Sequence, residues 1–441
     1  MTDRTSRVAL RLAYVAVIAL ATLTPFQPDF ALAAVGQRFL HAFHLGYSAR
    51  DAIDAVRNVI LFTGWGALWV ATSPPTGLPR ILREPTLAGC ALSIGAETIQ
   101  LFLPERNASI LDVVTNTAGS WLGAAVIVFA VLLAKALRDR KSYVGLPMLV
   151  FAGAYGAAVC IDGLFPLLRV DALPGAYGGP FSRLRIAMAA FSWASLGTIP
   201  VGDVLEFFPL GAFIVAALVE LGRTHRDAAR RTILLGIAGS VIVELGHGPL
   251  GLPIQVGAVV AHGAGIALGA VVCARWLPAW SRQLRGAARP ALLLFLYAAL
   301  MAFWEWRPFV IEADMSVIAS QLSLSRLIPL EAQSWRVDLF SVADVAAPFF
   351  LYFPLGALLA VWPIRNRGLF SGCLPALWIA LATELGQIFI SGRYFDGTDL
   401  LVQWAGAGIG WAVIRRAGFP QYGPVVSAGG GTPSQPMTAG R

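Results

Sequence analysis

Long apolar runs recur along almost the whole chain, and they restrict its fold more than any other feature. An α-helix needs about 20 consecutive apolar residues to cross the hydrocarbon core of a bilayer. Because only helices and closed barrels satisfy their backbone groups in lipid, such runs predict an all-α, polytopic membrane helical bundle. We predict about twelve transmembrane helices, over residues 8–24, 54–72, 85–103, 109–133, 144–168, 201–221, 232–250, 254–277, 290–307, 342–362, 369–390 and 397–414.

The charged residues support this fold class and predict the orientation of the chain. They make up 13% of the sequence, about half the fraction of a soluble domain. The net charge of +8 comes from short clusters between the apolar runs, and no basic stripe with interleaved aromatic residues predicts a nucleic-acid partner. The densest clusters are Lys135 to Lys141, Arg223 to Arg231 and Arg275 to Arg289. The positive-inside rule places these clusters, and both chain termini, in the cytoplasm.

One sequence unit occurs three times. The segments NVILFTGWG, DVLEFFPLG and PFFLYFPLG are followed by ETIQ, ELGH and ELGQ, and then by three glycine-xxx-glycine segments. Each unit contains four spans, so all three have the same orientation and are parallel repeats. We predict unit 1 over residues 1–140, a degenerate unit 2 over 141–285 and unit 3 over 286–417. A disordered cytoplasmic tail over 418–441 follows.

Polar residues recur at fixed offsets inside units 1 and 3. A charge at membrane depth costs several kcal/mol, so it is retained for a partner, a cavity or a task. Helical spacing predicts that side chains from three helices converge just inside the outer leaflet. The candidate binding residues are Asp54, Asn58, Glu97, Gln100, Arg106, Asp112 and Asn116 in unit 1, and Asp344, Glu384, Gln387, Arg393, Asp399 and Gln403 in unit 3. An ion-pair clasp of Glu97, Arg106 and Asp112, a binding pocket, and a proton- or ion-coupled role all fit this pattern.

Unit 2 differs from the other two units, because it lacks the arginine and the aspartate. Its secondary candidates are Glu206, Glu244, His247 and His262. The two histidines favour neutral rings that form hydrogen bonds across helices. Zinc-helix spacing is missing from this unit, and the chain contains no nucleophile elbow, phosphate-binding glycine loop or CxxC pair. The sequence therefore predicts no metal and no cofactor.

The order E-x-x-Q, Arg, Asp and Asn-x-x-Gly-x-x-x-Gly resembles the VanZ-like family of bacterial membrane proteins. The resemblance is strong over residues 8–133, good over 342–414 and weak over 201–277, and Gln403 replaces the family's asparagine. It implies a multi-pass cell-envelope protein of the bacterial inner membrane. The namesake of the family is associated with low-level resistance to the lipoglycopeptide teicoplanin, so the resemblance implies a link to antibiotic resistance but supplies no reaction.

We expect a protein that is not an enzyme and that binds an amphipathic, anionic envelope molecule or a membrane lipid at the outer leaflet. Arg106 and Arg393 would meet the anionic group. The alternatives are a proton-coupled small-molecule transporter, a structural scaffold, and an enzyme acting on a lipid-linked substrate with Glu97 or His247 as its base. The sequence leaves open the ligand, the arrangement of the units and the oligomeric state.

Overall fold

The protein is described by a computed structural model that covers residues 4–43, 49–74, 77–139, 142–164, 201–250, 254–283, 288–307, 309–321, 339–362 and 369–420. These residues form fourteen α-helices and no β-strand. The helices are α1 (Arg4–Leu23), α2 (Leu32–His41), α3 (Ala49–Thr72), α4 (Leu78–Gln100), α5 (Ile110–Arg138), α6 (Met148–Leu164), α7 (Val201–Glu220), α8 (His225–Leu250), α9 (Val256–Gln283), α10 (Ala288–Glu305), α11 (Met315–Gln321), α12 (Leu339–Val361), α13 (Leu369–Gln387) and α14 (Gly397–Ala417).

The helices confirm the predicted fold class. Each of the twelve predicted spans coincides with one helix. The two further helices, α2 and α11, lie between the first and second predicted spans of units 1 and 3, in segments that we call the outer loops. The outer loop of unit 2, over 169–200, and the tail beyond Pro420 lie outside the described residues.

Within the described ranges, six helices are long and apolar enough to cross a membrane, by length and composition. These segments are Thr5–Leu23, Ile110–Arg138, Val201–Glu220, Val256–Trp280, Ala288–Glu305 and Leu369–Gln387. Large apolar side chains, such as Phe129, Ile242 and Phe295, are more than 60% exposed in the middle of helices. Soluble proteins rarely expose large contiguous apolar patches. This surface is therefore typical of helices that contact lipid.

The second and fourth helices of each unit cross at backbone contact. A Cβ atom added to Gly119, Gly265 or Gly406 would collide with the carbonyl oxygen of Val59, Val204 or Phe349, respectively. These collisions occur between α5 and α3, α9 and α7, and α14 and α12. Small residues permit such close approach in membranes, where packing and polar contacts drive helix association. The glycine-xxx-glycine segments therefore build the same crossing three times.

Unit 3 lies between the other two units. Its helix α12 packs against α6 of unit 2, and α14 packs against α5 of unit 1. Large buried side chains fill the contact with unit 2, among them Phe151, Tyr155 and Tyr297. The hydroxyl groups of the two tyrosines also join helices. Tyr155 donates a 2.7 Å hydrogen bond to the carbonyl of Glu206, and Tyr297 donates a 2.7 Å hydrogen bond to the carbonyl of Leu351.

Candidate functional site

A glutamate near the end of the third helix of each unit caps the start of the fourth helix. The first N–H groups of a helix have no intrahelical acceptor, and a carboxylate there also interacts favourably with the helix dipole. In unit 1, Glu97 Oε2 accepts a 2.7 Å hydrogen bond from the backbone N–H of Ser109. The same contact recurs in units 2 and 3, where Gln255 donates to Glu244 at 3.0 Å and Asp396 donates to Glu384 at 3.4 Å. Each donor residue immediately precedes the fourth helix of its unit.

The residue three positions after each glutamate ties the third helix to the first. In unit 1, Gln100 Nε2 donates to the carbonyl of Thr22 at 3.0 Å. In unit 2, His247 Nε2 donates to the carbonyl of Gly163 at 2.7 Å. In unit 3, Gln387 Nε2 donates to the carboxylate of Glu305 at 2.9 Å. The amide or imidazole at this position therefore has the same place in all three units.

The two candidate arginines bond to backbone carbonyls. Arg106 Nη2 donates to Thr24, just after α1, and Arg393 Nε donates to Arg307, just after α10, at 3.0 Å. Among the described residues, neither arginine forms an ion pair with a carboxylate. The described residues show no ion-pair clasp at Arg106, because the backbone carbonyl after α1 accepts a hydrogen bond from the guanidinium instead. Arg106 Nε is also buried and has no hydrogen-bond partner in the described part of the chain.

A buried polar residue lies one turn before each glycine-xxx-glycine segment. Asn116 Nδ2 donates to Ser93 Oγ at 2.9 Å, and Gln403 Nε2 donates to Glu384 Oε1 at 2.6 Å. His262 stacks on Phe207 at a centroid distance of 4.0 Å, with Nε2 3.5 Å from the carboxylate of Asp203. One further atom of each residue is buried and has no hydrogen-bond partner among the described residues: Asn116 Oδ1, His262 Nδ1 and Gln403 Oε1.

The remaining candidates lie within the first ten residues of their helices. Asp112 and Asp399 occupy the first turns of α5 and α14, where a carboxylate favours the helix dipole. Asn58 is half-buried in α3. Asp54 and Asp344 lie in α3 and α12, but their side chains fall outside the described residues. In the described ranges, no three His, Cys, Asp or Glu side chains are grouped so that they could hold a metal ion.

A buried polar cluster combines four of the sequence candidates with three residues that the sequence reasoning missed, Asp162, Glu305 and Arg307. We call Asp162, Glu206, Glu305, Arg307, Glu384, Gln387 and Gln403 the interunit cluster, because it joins units 2 and 3. Arg307 forms ion pairs with Glu206 and, at 3.4 Å, with Asp162. Its guanidinium also lies 4.5 Å from the ring centroid of Trp304. The signal was present, since Asp162, Glu305 and Arg307 are ionisable groups inside predicted spans, but they lie outside the repeated pattern.

The outer loop of unit 1 is tied to the connection between α4 and α5. The backbone N–H of Asp29 donates to the carbonyl of Phe102 at 2.7 Å. Arg38 of α2 donates to the carbonyl of Leu101 at 3.1 Å and to the carboxylate of Asp29 at 2.9 Å. The backbone N–H of Ala31 and the Arg38 guanidinium lower the pKa of Asp29 below its usual value. Unit 3 has an equivalent tie, in which Glu312 N–H donates to the carbonyl of Phe389 at 2.9 Å.

Helix α2 presents apolar side chains at this outer end. None of its residues is buried. Phe30, Leu32 and Leu40 are each at least 70% exposed, and Phe39 is 51% exposed. The exposed apolar surface therefore lies next to the connection that carries Arg106.

The fold and the repeated helix-end contacts define a multi-pass helical membrane protein. The family model of VanZ/LLP1 matches residues 4–133 and 291–418, which together are more than half of the chain. The chain therefore belongs to the VanZ/LLP1 family, and the resemblance seen in the sequence is confirmed. No curated protein and no solved structure matches the chain. The two matched segments correspond to units 1 and 3; the boundaries of the three units, and the VanZ-like origin of unit 2, stay predictions.

Proposed function

We propose that this protein binds the anionic group of an amphipathic envelope molecule or lipid at the outer leaflet of the bacterial inner membrane. The site is the connection between α4 and α5 of unit 1, and both chain termini are cytoplasmic, in keeping with the positive-inside rule. The observation that carries the proposal is Arg106, whose Nε is buried without a partner and whose charge no carboxylate of the described residues neutralises.

The Arg106 guanidinium, which is partly buried and has no carboxylate partner among the described residues, favours an anionic ligand. A buried donor without an acceptor costs about 1–3 kcal/mol, and more when the group is charged. The Arg106 side chain as a whole is half-buried, so a phosphate or carboxylate oxygen can reach the guanidinium and form a charge-assisted hydrogen bond with it. The bond from Nη2 to the carbonyl of Thr24 holds the guanidinium in place, which reduces the entropy that binding would cost.

The exposed apolar surface of helix α2 favours a ligand that has an apolar chain as well as an anionic group. Its exposed side chains, Leu32, Phe39 and Leu40, offer an apolar surface for an acyl chain beside the arginine. Helices with exposed aromatic and aliphatic residues lie in the plane of the membrane interface. The headgroup and the chain of one amphipathic molecule would therefore contact Arg106 and α2, respectively.

The other residues have different roles in this proposal. Glu97 and Gln100 fix the ends of α5 and α1 through their hydrogen bonds, so they position the connection and do not contact the ligand. Arg393 Nε already donates to the carbonyl of Arg307. Unit 3 therefore lacks the unpartnered donor that distinguishes unit 1, and Arg393 serves as a matched control.

The test compares Arg106→Gln with Arg393→Gln in nanodiscs that contain phosphatidylglycerol and phosphatidylcholine. Native mass spectrometry would count the lipids that each protein retains. We expect Arg106→Gln to lose about tenfold in preference for the anionic lipid, since a hydrogen bond to a charged group contributes about 1.5–3 kcal/mol. Arg393→Gln should keep the preference. Equal retention by the wild type and Arg106→Gln would overturn the proposal.

The link to glycopeptide resistance can be tested in cells. If the anionic envelope ligand is the origin of resistance, expression of the wild type should raise the teicoplanin concentration that stops growth, and Arg106→Gln should not. Membrane levels of both proteins must be equal for the comparison. A resistance that Arg106→Gln retains would separate the phenotype from this site.

A further inference from the structure

We infer that Glu305 and Glu384 form a binding site for one monovalent cation, a proton or a sodium ion, where unit 3 meets unit 2. This inference does not rest on the proposed function, because it concerns another unit and a ligand of opposite charge. Glu305 ends α10 and Glu384 lies near the end of α13. Both carboxylates are buried, at 6% and 0% exposure.

Two glutamine side chains join the two carboxylates in a closed ring of hydrogen bonds. Gln403 Nε2 donates to Glu384 at 2.6 Å and to Glu305 at 3.3 Å. Gln387 Nε2 donates to Glu305 at 2.9 Å and to Glu384 at 3.4 Å. An amide nitrogen has two hydrogens, so both amides are fully used by the two carboxylates. This arrangement holds Glu305 and Glu384 beside each other.

The charge around the ring calls for one additional positive charge. The titratable and charged groups that interact with the two carboxylates from the packed elements are Asp162, Arg307, Tyr352, Arg393 and Asp396. Arg307 is already paired with Asp162 and Glu206. No basic side chain of the described residues forms an ion pair with Glu305 or Glu384. Arg393 attracts Glu305 through space without forming an ion pair. Two carboxylates against this one arginine leave one buried negative charge uncompensated, which carries a large desolvation cost.

Gln403 supplies an independent indication of the ligand. Its side chain is 0% exposed and is directed into the ring by its bonds to both carboxylates. Its carbonyl oxygen, Oε1, has no hydrogen-bond donor among the described residues. A proton on one carboxyl group would donate to such an oxygen, and a sodium ion would take it as a ligand beside the carboxylates. Carboxylates inside membrane proteins mark ion pathways and proton relays.

Unit 1 lacks the second carboxyl group at the equivalent place. There Gln100 donates to the backbone carbonyl of Thr22, where unit 3 has the carboxylate of Glu305. Asn116 bonds to the hydroxyl of Ser93, where Gln403 bonds to two carboxylates. The cation site is therefore a property of unit 3, and unit 1 should not contain one.

The test uses the full chain in nanodiscs and has one arm for each cation. Infrared difference spectra between acid and alkaline buffer detect the C=O stretch of a protonated carboxyl group. Retention of radioactive ²²Na⁺ detects sodium. We expect the wild type to give, in one arm, a signal that Glu305→Gln loses: the C=O band of one buried carboxyl group in the difference between the spectra of the two proteins, or at least nine-tenths of the retained ²²Na⁺. Glu220→Gln is the control and should keep that signal, because this half-buried carboxylate caps Tyr143 and Met148 away from the ring.

A second variant, Gln403→Asn, distinguishes loss of the cation site from loss of the fold. Gln403→Asn keeps an amide and introduces the residue that unit 1 has, but its shorter side chain cannot reach both carboxylates. It should lose the same signal as Glu305→Gln while the helical circular dichroism stays unchanged. If folded Glu305→Gln and Gln403→Asn both keep the wild-type signal, or if the wild type gives no signal in either arm, the inference is overturned.

Discussion

The carboxylate of Glu97 accepts a 2.7 Å hydrogen bond from the backbone N–H of Ser109, which precedes the first residue of α5. The contact joins the end of one helix to the start of the next. Its recurrence between Glu384 and Asp396 explains why the repeated pattern contains an acid at this position: a buried helix start in lipid has no water to satisfy its N–H groups. The acid is kept for the backbone of its own unit, whatever else the site does.

Removal of the Glu97 carboxylate should destabilise the protein in a way that glutamine largely prevents. Glu97→Ala leaves the N–H of Ser109 without an acceptor, which costs about 1–3 kcal/mol. Glu97→Gln keeps an oxygen at the same distance along the side chain and should lose less than half as much. Thermal unfolding in detergent, followed by circular dichroism, measures both. Equal losses in the two variants would contradict the capping role.

Glu97 and Arg106 should act independently in a double-mutant cycle. Arg106 bonds to the carbonyl of Thr24, so it shares no partner with Glu97. We expect the losses of Glu97→Gln and Arg106→Gln to add within about 0.5 kcal/mol, as for independent sites. If the double mutant were clearly more stable than this sum, the two residues would form the ion pair that the structure does not show.

Three glycines of α14 differ in whether they contact another helix, so their substitution tests helix packing against intrinsic helix propensity. A Cβ atom on Gly406 would collide with the carbonyl of Phe349, and one on Gly410 with that of Phe353. Gly408, between them, has nothing within 4 Å of such an atom. We expect Gly406→Ala and Gly410→Ala each to lose about 1–3 kcal/mol by overpacking. Gly408→Ala should be neutral or slightly stabilising, because alanine favours a helix. Unfolding temperatures of the three variants provide the measurement.

The sequence predicted the helices well because hydropathy and span length determine them locally. All twelve predicted spans contain a helix, and the glycine-xxx-glycine segments, such as Gly119 and its neighbours, form the closest crossings. The repeat offsets also identified Glu97 and Gln100 as side chains that meet other helices. These features follow from the order of residues within one unit.

The partners of the polar residues could not be predicted, because they depend on backbone positions and on contacts between units. Arg106 could have reached either carboxylate by distance along the chain, but the carbonyl of Thr24 is its partner. Glu305 and Arg307 occur once and not at repeated offsets, so the comparison of units did not select them. Their partners lie on other helices: Arg307 pairs with Asp162 of α6 and Glu206 of α7, and Glu305 accepts a hydrogen bond from Gln387 of α13.

Arg307 should be the charged residue whose loss costs most. Its side chain is 13% exposed and pairs with Glu206, which is 5% exposed. Loss of one member of a buried pair costs about 3–5 kcal/mol, because the remaining charge stays buried without a partner. Arg307→Gln should therefore lower the unfolding temperature strongly, and the added change Glu206→Gln should recover part of the loss.

A matched surface pair gives the reference for Arg307. Arg231 and Asp227 form an ion pair one turn apart, with side-chain exposures of 49% and 38%. Exposed pairs contribute about 0–1 kcal/mol, so Arg231→Gln should change the unfolding temperature little. If Arg231→Gln and Arg307→Gln were equally destabilising, the interunit cluster would not stabilise the contact between units 2 and 3.

The contacts of the Asp29 carboxylate, which tie α2 to the outer loop of unit 1, should weaken in acid. Because the folded state lowers the pKa of Asp29, its contribution is present above the unfolded pKa and is lost as the pH falls through the folded value. The unfolded value is about 3.9. Hydrogen exchange of α2, normalised to the intrinsic rate at each pH, should therefore be constant near neutral pH and rise only below about pH 4. Asp29→Asn removes the titrating group and should exchange faster than the wild type near neutral pH, with no step in acid. A step of the same size in Asp29→Asn would assign the change to another group.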